Sequence, residues 1–139
     1  MIKFSQSLFL LLTFITSSSV ADNNMNGKQL FEKNCASCHG ISGGMDMSKR
    51  TAPPIAAVRL HYIGTYSDEF TFVNAVADWV ENPDKSKTMM RGAIRRFNLM
   101  PKIKIDRSDV EKIATYIYEG NIDSPAGFKE HAERMHGKH

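Results

Sequence analysis

Apolar positions along this chain recur with helical spacing, and no stretch shows the two-residue alternation of a half-buried strand. Gly27, Leu30 and Phe31 stand at i, i+3 and i+4, which predicts a helix over about Asn26–Cys35. Phe70, Val73, Ala77 and Val80 form a second stripe, with Phe72, Val76 and Trp79 beside it. That helix is expected from Ser67 or Asp68 to Glu81. Ser67 is read as its N-cap, Asp68 and Glu69 suit its positive end, and Asn82-Pro83 stops it. A shorter helix is expected over Thr88–Arg96. The last period is the clearest: Val110, Ile113, Ala114 and Ile117 repeat helically, Ser108-x-x-Glu111 reads as a capping box, and Gly120 follows as a stop. Between these elements, Gly40-Ile41-Ser42-Gly43-Gly44 is expected to be flexible, and Pro53-Pro54 to punctuate a loop. The fold class implied is all-α with long covering loops.

The ends of the chain differ from this middle. Residues 1–21 carry Lys3, then the apolar run Leu8 to Ile15, then serines and Ser19-Val20-Ala21. This is the layout of a cleavable export signal, with cleavage expected near Ala21. The apolar run is far shorter than the ~20 residues a membrane-spanning helix needs, so no stable membrane insertion of the mature chain is expected. The expected organisation is a signal peptide at 1–21, one domain at 22–120 and a C-terminal extension at 121–139. The extension has weak periodicity and contains Phe128, His131, His136 and His139. The formal net charge of +3 decides little. Its distribution says more: Lys85, Lys87, Arg91, Arg95, Arg96, Lys102, Lys104 and Arg107 crowd one segment, opposed only by Asp84 and Asp106. No nucleic-acid-binding fold accompanies that segment, so a nucleic-acid role is not implied.

The candidate chemistry sits in Cys35-Ala36-Ser37-Cys38-His39, the C-x-x-C-H pattern of c-type haem attachment. Two thiols can add to the two vinyl groups of a haem, and the following imidazole reaches one face of the iron. These are the only two cysteines. A disulfide would be the ordinary use of a lone pair in an exported chain. A thioredoxin-like redox pair would need a βαβ setting, and a zinc site would need two more ligands at short spacing. Neither pattern is present. The expected cofactor is therefore one covalently bound haem c with its iron, held by Cys35 and Cys38 and ligated by His39.

A second axial ligand is sought among Met89, Met90, Met100, His61 and the tail histidines. Met100 precedes Pro101, which fixes an extended, non-helical loop across from the motif. Its soft thioether favours ferrous iron and would raise the reduction potential, whereas His61 would give a lower-potential site. Met100 is the expected ligand. Met89 and Met90 are expected to line the pocket or pack the core.

With these residues the chain resembles the class I cytochromes c, small monohaem electron carriers, over about Asn26 to Gly120. Gly27 and Phe31 stand eight and four residues before Cys35, where that family has a glycine and an aromatic. The resemblance implies that they cross the C-terminal helix at Ile113 and Tyr116. It also implies that Pro53 or Pro54 offers a carbonyl to the proximal imidazole, and that Trp79 packs at the haem edge, although core packing would equally explain Trp79. The fold implied is a cytochrome c-like helical domain wrapped around one covalent haem. The function implied is a periplasmic carrier of single electrons with His39/Met100 ligation and no catalytic residues. Its partners would be redox proteins, with the basic segment meeting an acidic docking face. The alternatives are a haem-bearing redox subunit of a larger oxidase or dehydrogenase, or a haem enzyme or sensor with an open sixth position.

Overall fold

The computed structural model describes residues 25–137. The export signal expected at 1–21 and the terminal His139 lie outside these residues. Within them the chain forms helices and no strand: α1 (Gly27–Asn34), α2 (Ala36–His39), α3 (Ile55–Ile63), α4 (Glu69–Glu81), α5 (Arg91–Phe97), α6 (Arg107–Glu119) and α7 (Phe128–His136). Two 3₁₀ turns, Met47–Lys49 and Lys85–Lys87, sit in the connections.

The first helix begins where its cap demands. Asn26 Oδ1 accepts from the Gln29 amide and Gln29 Oε1 from the Asn26 amide, both at 3.0 Å, so two orphan donors are satisfied reciprocally. Its buried residues, Leu30 and Phe31, face α6, which also packs against α3 and α4. At the α1/α6 crossing a β-carbon on Gly27 would overlap the Lys112 carbonyl oxygen and lie 2.8 Å from Tyr116 Cβ. Only glycine allows the two backbones this approach. Phe31 and Tyr116 close the same crossing with ring centroids 5.9 Å apart. The crossing expected from Gly27, Phe31, Ile113 and Tyr116 is the one observed.

The core runs through α6. Val110, Ile113, Ala114 and Ile117 are buried on it, against Phe72, Val76 and Ala77 of α4 and Tyr62 of α3. Phe72 is fully buried and stands edge-on to both Tyr118, at 5.4 Å, and Tyr62, at 6.2 Å. The stripe expected to lead α4 is displaced by one row: Phe70 is 78 % exposed, and Phe72, Val76 and Ala77 carry the burial.

Several boundaries differ from expectation, each for a local reason. Asp68, not Ser67, caps α4, accepting from the Thr71 amide at 3.0 Å. The Ser67 carbonyl instead receives the Tyr118 hydroxyl. The Ser108 capping box does not form, because α6 starts two residues earlier, after Asp106, and Ser108 lies inside its first turn. Glu111 is held by Arg107, which also bonds Asp78, Glu81 and Asn74 and so braces α6 to α4. Gly120 does end α6 in the left-handed conformation, φ +80°. Helix α3 is not among the helices expected from the sequence. Its Arg59 donates to the Ile117 and Tyr118 carbonyls at the end of α6, satisfying acceptors the helix leaves open. The extension contains helix α7, preceded by the buried Pro125.

Candidate functional site

The C-x-x-C-H segment folds as a single helical turn. The Cys35 amide bonds the Phe31 carbonyl at 2.8 Å as α1 ends, and the Cys35 carbonyl accepts from Cys38 and His39 at 3.2 and 2.9 Å. Cys35, Cys38 and His39 thus occupy i, i+3 and i+4, neighbouring positions on one face. All three open onto one apolar cleft. Its floor is core, including Phe31, Val110 and Ile117, so the cleft is held by the α1/α6 crossing itself. Ile55 and Val58 bring α3 to it, and Trp79 brings α4.

The His39 ring is fixed from behind. Its Nδ1 lies 2.9 Å from the Pro53 carbonyl oxygen, an acceptor only, so Nδ1 carries the proton and donates. That leaves the Nε2 lone pair free for a metal. Of the two prolines proposed from sequence, Pro53 supplies this acceptor, and Pro54 caps α3. Burial lowers the His39 pKa from its ordinary value, the Pro53 hydrogen bond opposes that, and the nearby Arg50 charge reinforces it. Burial and Arg50 thus favour the neutral ring, the form that can ligate a metal. Cys35 is pushed up to about 11 by burial and by Cys38. Both cysteines are free thiols, with Cys38 exposed.

Helix α5 and the loop after it also line the cleft. Asn98 closes α5 with φ +66°, a left-handed conformation that asparagine tolerates better than most residues. Leu99-Met100-Pro101 then leave without regular secondary structure, Leu99 at a bend. Met89, Met90 and Met100 all line the cleft, and His61 on α3 does not. His131 on α7 is exposed. Trp79 lines the cleft and is partly buried, so its two readings meet in one place.

Sequence reasoning missed Arg50. It is 8 % exposed, and its guanidinium donates to the carbonyls of Gly40, Ser42, Gly44 and Ala52. The glycine-rich stretch expected to be flexible is wrapped around this side chain. No acidic partner marks Arg50 in the sequence, and backbone acceptors have no letter of their own.

Two free thiols one turn apart, an imidazole with a free Nε2 and thioether sulfurs lining the same apolar cleft are a donor set that fits a covalently attached haem. Among the described residues no cluster of three or more His, Cys, Asp or Glu offers a competing metal site. No helix among them is long and apolar enough to cross a membrane. The family described as Cytochrome c matches residues 25–120, well over half of the chain. No curated protein and no solved structure matched it. The chain belongs to the cytochrome c family, whose covalently bound haem c makes it a haem-binding electron-transfer protein.

Proposed function

We propose that this chain is an exported monohaem electron carrier. Cys35 and Cys38 would hold the haem through thioethers, and His39 and Met100 would ligate its iron. One observation carries the reading: the His39 Nδ1–H bond to Pro53 leaves Nε2 free in a cleft lined by both cysteines and by Met100. The haem supplies reversible one-electron change between ferric and ferrous iron. The chain's own residues do the rest. Pro53 fixes the imidazole tautomer, which sets ligand basicity. The α1/α6 crossing and α3 exclude water from the cleft. Met100 is preferred to Met89 and Met90 because Pro101 fixes its extended backbone.

The ligand assignment is tested by visible and near-infrared spectra of the wild type and of Met100→Ala. The wild-type ferric protein should show the sulfur-to-iron band near the red limit. Met100→Ala should keep the haem, lose that band, lower the potential and admit carbon monoxide when ferrous. An unchanged spectrum and potential would reject Met100. A wild type that already binds carbon monoxide rapidly would favour an open-site haem protein.

The proposed partner is an acidic redox protein. Lys85, Lys87, Arg91, Arg95, Arg96, Lys102 and Lys104 are exposed around α5 and the Met100 loop. Arg107, counted with them from sequence, belongs to the brace between α4 and α6 and is left out. Electron-transfer rates should fall with rising ionic strength. Rates indifferent to salt would remove the steering role. Export is tested by sequencing the N-terminus of the protein recovered from the periplasm, expected near Asp22.

A further inference from the structure

We propose that Arg50 is the positioning residue for the His39 imidazole, a role that rests on the reading of His39 as an iron ligand. Gly40, Ser42, Gly44 and Ala52 all present carbonyls to one buried guanidinium. Nε bonds Ala52 at 3.1 Å, Nη1 bonds Ser42 at 2.7 Å and Gly44 at 3.2 Å, and Nη2 bonds Gly40. Two of these residues matter most. Gly40 directly follows His39, and Ala52 directly precedes Pro53, whose carbonyl accepts the His39 Nδ1–H bond. One planar side chain therefore ties together both backbone segments that carry the ligand's supporting hydrogen bond.

The loop is built around this cation. Gly43 and Gly44 sit at φ +85° and +57°, and a β-carbon on Gly43 would stand 3.1 Å from Arg50 Cγ and 3.0 Å from the Lys49 carbonyl oxygen. Left-handed glycines let the carbonyls turn inward toward one point. Filling a loop of this kind with an apolar side chain would avoid the cost of burying a cation. The guanidinium supplies two things an apolar residue lacks. Its rigid fork fixes the relative placement of the two segments, and its positive charge stands close enough to act on His39. A fixed positive charge there favours the ferrous state, the less positive of the two. Arg50 touches neither substrate nor metal; it acts through His39.

The experiment compares holoprotein of the wild type with Arg50→Lys and Arg50→Met. Nuclear magnetic resonance follows solvent exchange of the His39 Nδ1 proton in the ferrous state, with the Leu30 and Ile113 amides as internal references. Breaking a set of charge-assisted hydrogen bonds should speed His39 ring exchange about tenfold in both variants and leave the reference amides unchanged. The midpoint potential should fall most in Arg50→Met and less in Arg50→Lys, which keeps the charge. Ring exchange at the wild-type rate in Arg50→Lys would overturn the proposal, as would acceleration shared equally by Leu30 and Ile113. Should Arg50→Met fail to fold, Arg50→Lys decides alone. Hyperfine-shifted His39 ring signals in ferric wild type separate the two failures. Their absence would sink the ligand reading and the proposal with it. Their presence with unchanged exchange would sink the clamp only.

Discussion

Two helical glycines should respond to alanine with opposite signs. Gly27 opens α1 at its crossing with α6, and an added β-carbon would overlap the Lys112 carbonyl oxygen and sit 2.8 Å from Tyr116 Cβ. Neither obstacle is a side-chain end that can swing away: one is backbone and the other is attached to it. The helices must separate, loosening Leu30, Phe31, Ile113 and Ile117, all buried at that contact. Overpacking of a tight core costs about 1–3 kcal/mol. Against it stands the gain from replacing a flexible glycine in a helix, roughly 0.5–1 kcal/mol. The net expectation for Gly27→Ala is a loss of about 1–2 kcal/mol. Gly92 lies in α5 with nothing within 4 Å of its missing β-carbon, so Gly92→Ala receives the gain without the cost. It should stabilise by about 0.5–1 kcal/mol. The assay is urea unfolding of holoprotein followed by far-ultraviolet circular dichroism, with midpoints compared at constant slope. Gly27→Ala at or above wild-type stability would refute the reasoning, because it would mean the α1/α6 approach does not depend on a missing β-carbon.

Other outcomes follow from single contacts. Arg59→Met leaves the Ile117 and Tyr118 carbonyls without their charged donor and should cost about 1–2 kcal/mol in the same unfolding assay. Asp68 has its pKa held below the ordinary carboxylate value by its hydrogen bonds to the Thr71 hydroxyl and amide. Its contribution is therefore present above the unfolded value of about 3.9 and lost as pH falls through the lower folded value. Asp68→Ala should flatten the acid limb of the stability curve below about pH 4 and leave its shape at neutral pH unchanged, checked by thermal melts across pH. Phe31→Leu should weaken the ring contact with Tyr116 and lower stability by about 1 kcal/mol, with Tyr116→Leu adding little more once Phe31 is gone.

What the sequence made legible was whatever is written in side chains at fixed spacing. The C-x-x-C-H turn, the Gly27 crossing and the period of α6 rest on local rules, and each stands where those rules put it. The Pro53 carbonyl was half legible: the family resemblance pointed to a proline, and only packing chose between two. Helix α3 was hidden because Ile55 to Ile63 is used on more than one side. Ile55 and Tyr62 are buried in the core, and Val58 faces the cleft, so no polar stripe reveals a helical period. Its cap is Pro54, which also reads as loop punctuation. Arg50 and Arg59 escaped because they bond carbonyls, which every residue has. Ser108 misled because a capping box two residues past the true cap has the same letters as one at the start of a helix.

The α1/α6 crossing also fixes an order in time. Its two helices stand at opposite ends of the family segment, α1 at Gly27–Asn34 and α6 at Arg107–Glu119. A chain growing from its N-terminus makes Cys35, Cys38 and His39 early, yet has no partner for Leu30 and Phe31 until nearly all of it exists. Through that interval both thiols are open to water. Once α6 packs, Cys35 is half-buried while Cys38 stays exposed. The last helix of the family segment to be made is thus the one that gives the first its buried contacts: Leu30 and Phe31 are covered only once α6 exists.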